Sequence, residues 1–389
     1  MAWIEYVRRA ADARVLLVSQ RRLAPVTWRS LLFNFEDVIA TVDAVDLAAP
    51  LPADAPGERR RQRAQRLDRL YLGAGRALLR LEPELDRRYP LLFVSLQGLQ
   101  DLFQLGSLAP WLAAADVSVC YVEELWRSEL PARRAELALL RHFDLVLLSC
   151  HGTVEPVAAA TGRPCRYLAP GVDLLTFCPY PDPPARVIDI YAMGRRSAEM
   201  HETLVALAAR RRLFYLYDTL SRADVHDPAD HRRLLAELIK RARYFTVSRP
   251  KFDVPLRAAQ QHEVGFRFFE GAAGGTVLLG QPPDTPVFAQ IFNWEDAVVP
   301  CTPDDVGAVI EALDANPGRV DGIRRRNTLN TLKRHDCVDR WAEVLAAAGL
   351  PSTPGVDARR HRLAELMRTV DPARPAASAA SPALEATAP

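Results

Sequence analysis

The sequence predicts an α/β protein made of two Rossmann-like, doubly wound parallel-sheet halves facing a central cleft. Three observations carry this. Short apolar runs alternate with longer stretches of helical spacing along the whole chain. The runs lack strict polar–apolar alternation, as suits strands buried on both faces of a parallel sheet. One proline-dense stretch interrupts the pattern near the middle, after which it resumes.

In chain order, the first half offers strands at 13–19 (ARVLLVS), 90–96 (PLLFVSL), 117–122 (VSVCYV), 143–149 (FDLVLLS) and 165–169 (CRYLA). Helical spacing fills 58–81, 99–115 and 129–143 between them. In the connector 168–186, Pro170, Pro179, Pro181, Pro183 and Pro184 forbid both a helix interior and a central strand. Strands then recur at 187–193, 213–218, 244–248 and 276–280, and the segment AVVPC (297–301) precedes the last helices. Helices are expected at 197–211 and 229–241, and three more at about 303–315, 319–333 and 336–348. Two lobes, 1–170 and 171–350, are therefore expected. The remainder, 351–389, is expected to be a largely disordered tail, since from about 370 it is dominated by proline, alanine and serine. No period of about 20–50 residues suggests a solenoid.

Composition narrows the function. The 389 residues are 49% hydrophobic and 25% charged, which excludes a mostly disordered or fibrous chain. Fifty basic against 48 acidic side chains leave a net charge of +2, without the excess of a nucleic-acid coat, so no nucleic-acid partner is expected. The arginine-rich 58–69 could meet phosphate or an acidic membrane surface, although its acidic neighbours favour a solvated helix face. Peripheral membrane contact thus stays open. Six cysteines (Cys120, Cys150, Cys165, Cys178, Cys301, Cys337) include no CxxC pair, arguing against a zinc site or disulfide framework. No apolar run reaches the roughly 18–20 residues of a membrane span, and the N-terminus lacks a leader-like apolar region. A cytoplasmic protein without a transmembrane segment is the expectation.

Ligands of open parallel sheets gather beyond the carboxyl ends of the strands. The strongest candidate segment is HEVGFRFFEGAAGGTVLLG (262–280). A helix starting around Gly265–Arg267 would offer free N–H groups to a phosphate or sugar oxygen, and Arg267 a guanidinium suited to bidentate phosphate binding. Glu270, one turn on, would accept two ribose hydroxyls. The alternative is an amphipathic helix with Phe266, Phe268 and Phe269 in the core and its charges in water.

This segment resembles the donor-site signature of GT-B glycosyltransferases, in particular the spore-maturation-protein-like branch of the group 1 superfamily. Its R-x-F-E-x-x-A-x-G pattern is approximated by Arg267, Phe269, Glu270, Ala273 and Gly275. A GVD-x-x-x-F-x-P-like connector (Gly171, Val172, Asp173, Phe177, Pro179), the MGRR turn at 193–196 and the closing helices at 325–345 are also similar to the family's. The resemblance covers about 165–348 and reaches the first half by architecture alone. It implies a GT-B fold with an acceptor-side N-terminal lobe and a donor-side C-terminal lobe. It also implies hexosyltransferase-like transfer of a sugar from a nucleotide-diphosphate sugar, with no cofactor beyond that co-substrate.

In the family's E-x7-E motif the last glutamate holds the donor ribose and the first lies by the transferred sugar. Glu270 takes the former position; Glu263 stands seven residues before it rather than eight. On the donor side the resemblance implies Gly194, Arg195, Arg196, Lys251, Gly265, Phe266, Arg267 and Glu270. Arg267 or Lys251 would replace a family lysine missing after the first C-terminal strand. Developing charge on the leaving diphosphate would be met by these cations and a helix N-terminus. No D-x-D clamp is present, so no essential metal is expected.

The acceptor (a glycan, lipid or small molecule) is not identified. Glu123 and Glu124 follow a strand and are candidate general bases, or else first-turn helix residues favoured by the macrodipole. His151 and Glu263 complete the catalytic candidates, His151 being equally a helix-start or packing residue. His335–Asp336 reads as a helix cap. A dinucleotide oxidoreductase is disfavoured because SQRRLAPV after the first strand lacks glycine. A nucleotide-sugar epimerase of the same fold, and a catalytically silent GT-B-like binding or partner protein, remain alternatives.

Overall fold

The computed structural model describes residues 4–22, 26–50, 85–105, 108–219, 225, 227–253 and 261–371. The strands form two sheets, several of them built from runs rich in Val, Leu, Phe and Ile. In the first sheet they are β1 (Ile4–Arg8), β2 (Val15–Val18), β3 (Val45–Pro50), β4 (Tyr89–Leu96), β5 (Ala115–Val122), β6 (Leu145–Leu148) and β7 (Cys165–Tyr167). Their order is β1-β3-β2-β4-β5-β6-β7, parallel except for β1 against β3. The second sheet, β8 (Ile188–Ala192), β9 (Tyr215–Tyr217), β10 (Ala242–Val247) and β11 (Val277–Gly280), runs β11-β10-β8-β9 and is parallel throughout. Val299 adds one parallel bridge to Leu279.

Alternate residues of the central strands of the first sheet enter opposite cores, the period-two rule for a strand covered on both sides. Leu16, Val18, Leu92, Val94, Cys120 and Val122 pack on the outer face of the first sheet. Val15, Leu17, Leu91, Phe93, Val119 and Tyr121 point inward, into a cluster that also holds Ile188, Phe245 and Leu278 of the second sheet. The two halves thus share one core.

The principal helices are α1 (Ser30–Val42), α2 (Arg134–Leu140), α3 (Val154–Thr161), α4 (Ala198–Arg211), α5 (Pro228–Lys240), α6 (Phe266–Ala273), α7 (Val306–Asp314), α8 (Pro317–Arg334), α9 (Cys337–Ala347) and α10 (Pro354–Val370). A cap-then-proline device starts three of them. Asp227, Asn316 and Thr353 each accept a first-turn N–H while proline fills the next position, where no N–H is needed. Asp336 caps α9 as its sequence position suggested.

α1 packs against α5, α9 and α10, so helices late in the chain return to the first half. Trp341 on α9 is fully buried, meets Phe93 edge-on at 5.4 Å and donates its indole N–H to Asp43. The connector is irregular apart from one turn, Leu174–Phe177, and is pinned by Val172 pairing with His335 and Cys337.

Several elements differ from expectation. The stretch 99–115 is a 3-10 helix (Leu99–Leu105) followed by a short helix (Ala109–Ala113), because Pro110 begins a new helix there. Residues 129–143 split similarly at Pro131. The expected helix at 58–81 lies outside the described residues. The disordered tail from 351 needs correction: α10 orders residues 354–370. Arg359 is buried with its guanidinium on Asp336 and Asp173, Thr353 donates to the Val42 carbonyl, and Val356, Leu363 and Val370 enter the core. Residues 372–389 are outside the described region.

Candidate functional site

Strands of both sheets end at the same gap. From the first half, Gln97 follows β4, Glu123 and Glu124 follow β5, and Ser149 and Cys150 follow β6. From the second, Arg195 follows β8, Ser248–Phe252 follow β10, and Glu263–Arg267 lead into α6. Together they enclose a cavity of about 520 Å³, with Trp28 also lining it. A neighbouring cavity of about 380 Å³ lies wholly within the second half. It shares Arg195, Ser248, Arg249 and Phe252 with the first and extends past Arg196, Gly280 and Thr302.

The cations lining the larger cavity are Arg195, Arg249, Lys251 and Arg267, all from the second half. Arg195 pairs with Asp253 at 2.7 Å. Arg196 lies over the Tyr217 ring, 5.2 Å from its centroid, and lines the smaller cavity. Lys251 crosses the gap: its ammonium meets Glu124 and sits 5.2 Å from the Trp126 ring centre. Burial would raise the Glu124 carboxyl, but Lys251 outweighs it and holds the group below its ordinary range. At the start of α6, Gly265 is the extended N-cap and no side chain caps the helix. Gly265 and Phe266 line the cavity, leaving a positive helix end facing it.

Arg267 is fixed by its neighbours. Its Nε donates to the Met193 carbonyl at 3.2 Å and its Nη1 to Glu270 at 3.0 Å. Gly194 has φ +69°, and a Cβ there would stand 2.6 Å from Arg267 Nη2, so only glycine lets the guanidinium lie this close. The Gly194 N–H is already taken by Asp218.

Glu270 departs from its expected role. It is 0% exposed, and its oxygens accept from buried Arg232 on α5 at 2.6 Å and from Arg267. Burial pushes its carboxyl up, yet the two guanidinium charges prevail and the net shift is downward. It is absent from the cavity wall, and both its oxygens are engaged by Arg232 and Arg267, which ties it to the position of Arg267.

Glu263 lines the cavity but is also engaged. It accepts from the His151 N–H at 2.8 Å, the Gly152 N–H at 2.9 Å and Gln261 Nε2 at 2.6 Å. Those backbone donors open the turn before α3, so Glu263 occupies the orphan N–H groups of a helix start in the opposite half. Gln261 adds a contact by accepting the Arg127 N–H at 2.8 Å. Burial raises the Glu263 carboxyl despite these bonds. The residue is a clamp between halves, with both oxygens engaged. The His151 ring is exposed and rests edge-on to Tyr167 at 5.4 Å, and it is the His151 backbone N–H that bonds Glu263.

Glu123 fits a catalytic part best. It is 5% exposed, lines the cavity at the end of β5, and its Oε2 has no hydrogen-bond partner. Burial, then the charge of Glu124, pushes its carboxyl well above the usual carboxylate range, with Gln97, Arg29 and Arg232 offsetting only part. Sequence reasoning missed Gln97 and Arg249, although both directly follow predicted strands. It also missed Trp28, in a stretch carrying no clear periodicity, and Arg232, an arginine on the apolar face of α5.

Residues 195–346 match the family model described as "Glycosyl transferase-like". No curated protein matches significantly. Among solved structures, HepE of Anabaena in complex with UDP-glucose aligns at a TM-score of 0.51 with 12% identity, covering 86% of this chain and 99% of that one. An alpha-glucosyltransferase in complex with UDP-glucose and DNA containing an abasic site aligns at 0.50 with 11% identity, with the same coverage, 86% and 99%. The fold is GT-B, and residues 195–346 are similar to the glycosyl transferase-like family. Among the described residues no helix is long and apolar enough to cross a membrane.

Proposed function

We propose that the protein is a glycosyltransferase that moves a sugar from a nucleotide-diphosphate sugar to a hydroxyl acceptor without an essential metal. The observation that carries this is the charge asymmetry of the cavity. Arg195, Arg249, Lys251, Arg267 and the uncapped start of α6 face it from the second half. Across from them, Glu123 is buried with one free oxygen. Fixed cations and amide dipoles meet the charge that grows on a leaving diphosphate, work that a metal ion would otherwise do. Arg196 and the smaller cavity lie beyond the ends of β8, β10 and β11, where a nucleoside joined to that diphosphate would extend.

On the opposite wall Glu123 acts as general base. Its elevated proton affinity makes it, once ionised, a stronger base toward an acceptor hydroxyl than an ordinary glutamate. Glu263 and the Lys251–Glu124 pair hold the two walls in register. Cys150 and Cys301 line the cavities as unpaired, buried thiols, and all six cysteines are free, which suits a reducing, cytoplasmic setting.

A thermal-shift and calorimetric titration with UDP and UDP-glucose tests the reading, UDP-glucose being the ligand of the two similar structures. Binding is expected, with Arg267→Ala weakening it tenfold or more and product formation persisting in EDTA. Failure of every nucleoside diphosphate to bind would overturn the reading. A binding protein without chemistry is favoured by one observation, that Glu263 and Glu270 are both fully occupied within the protein. Release or transfer of the sugar separates the two.

A further inference from the structure

We propose that Glu124 is a resident counter-ion that the donor's diphosphate displaces from Lys251, making Lys251 a switched cation and Arg267 a fixed one; this rests on the glycosyltransferase reading. The partner of each cation decides which it is. Arg267 pairs with Glu270, which is 0% exposed, absent from the cavity wall and locked by Arg232. Lys251 pairs instead with a carboxylate of the opposite half that lines the cavity. The Glu124 side chain is 39% exposed, and that of Lys251 14%. An incoming diphosphate competes with Glu124 for the ammonium at the wall itself, and it carries more negative charge than one carboxylate.

Three further observations fit an exchange. Lys251 has φ +52°, a left-handed backbone that residues other than glycine seldom adopt and that surrounding contacts must hold. Its segment after β10 is tied by two ion pairs, Lys251–Glu124 across the gap and Asp253–Arg195 at 2.7 Å, and both cations line the cavity. Glu124 keeps a partner when the lysine turns away, because buried Trp126 donates its indole N–H to the same Oε1 at 2.9 Å. Meanwhile Glu263 holds the walls in register through the His151 and Gly152 N–H groups. Parting the pair has a cost, since Lys251 holds the Glu124 carboxyl below its ordinary range against burial. Donor affinity is lowered by that cost.

Calorimetric titration with UDP and inorganic pyrophosphate tests this at low ionic strength, where the pair is least screened. The proteins compared are wild type, Glu124→Gln, Lys251→Met and the double variant. Glutamine keeps the shape of the residue and an oxygen for Trp126 without the charge. Glu124→Gln is expected to tighten both anions about three- to fivefold, the scale of one partly exposed ion pair. Lys251→Met should weaken them about tenfold, the scale of a hydrogen bond to a charged group. In the Lys251→Met background, Glu124→Gln should change affinity by less than about twofold. Glu124→Asp keeps the charge but withdraws it from the ammonium; it should also tighten binding, and it stands in should Glu124→Gln fold poorly. A pair that only ties the walls together predicts unchanged or weaker binding in both Glu124 variants. That result overturns the inference and leaves the transferase reading intact. Equal tightening by Glu124→Gln without Lys251 also overturns it, the gain then coming from the general field of the carboxylate. Pyrophosphate responding as expected without UDP binding supports the exchange while removing the transferase reading. Binding of neither anion overturns both.

Discussion

Replacing Glu270 with alanine separates a structural carboxylate from one that holds ribose. In the structure the group is 0% exposed and bridges Arg232, itself 5% exposed and 4.9 Å from the Phe177 ring, and Arg267. Truncation leaves the Arg232 guanidinium buried without a counter-charge. Breaking a buried pair in this way costs about 3–5 kcal/mol, or about 6–20 °C in melting temperature for a lobe of this size. Differential scanning calorimetry reads it directly. The pH dependence follows from the depressed carboxyl. Its stabilisation is complete above the unfolded glutamate value of about 4.3 and is lost as pH falls through the lower folded value. The gap between wild type and variant should therefore close only in acid. A Glu270→Ala protein that melts within about 1 kcal/mol of wild type while losing tenfold or more in UDP affinity would refute the sealed-pair account.

Three further outcomes follow from the geometry. Glu123→Gln should lower turnover by about 10²–10⁴-fold and abolish an ascending limb of the pH–rate profile. In wild type that limb lies above the ordinary carboxylate range, since burial raises Glu123 and the base works only once ionised; a limb near pH 4 would contradict this. Glu263→Ala removes three acceptor contacts between or beside the halves, at about 1.5–3 kcal/mol for each hydrogen bond to a charged group before relaxation. Small-angle scattering should show a wider particle, and an unchanged radius of gyration counts against the clamp. Gly194→Ala and Gly349→Ala both impose a side chain on a left-handed backbone, φ +69° and +72°, but only the first crowds Arg267; Gly349 has nothing within 4 Å. Each should lose about 1–2 kcal/mol of stability, and only Gly194→Ala should weaken UDP binding.

Buried parallel strands were legible because they need apolar residues on both faces, as in ARVLLVS and FDLVLLS. The antiparallel edge strand β1 was not, because IEYVR is short and mixed in polarity. α1 escaped notice since Glu36 lies inside its apolar face, where Ser19 and Arg21 donate to its Oε2 from 17 and 15 residues away. α10 was hidden by a charged surface and by reading it together with the proline-rich end. At the site, strand-end logic located Glu123, the helix start near Gly265 located Arg267, and motif resemblance located Arg195. Neither reveals which carboxylates are already paired. Arg232 lies 38 residues from Glu270 and Glu263 lies 112 from His151, so those partnerships exist only in the folded chain.

The signature around Glu270 encodes the placement of one guanidinium more than a set of ligand contacts. Phe268 and Phe269 anchor α6 in the core, which fixes the direction of the helix. Gly271 lets α6 lie against Leu278 and Phe245, where a Cβ would come within 2.5 Å and 2.7 Å of those side chains. Glu270, locked by Arg232, then holds Arg267 from one side while the Met193 carbonyl holds it from the other. A free arginine would give up side-chain entropy on meeting a diphosphate. This one has given it up during folding, and the buried Arg232–Glu270 pair is the means. Preorganisation of that kind aids transition-state stabilisation because nothing need reorganise as charge develops. It also explains why a carboxylate can stand beside a cluster of cations: absent from the cavity wall and bonded to Arg232 and Arg267, Glu270 sets the position of the positive charge.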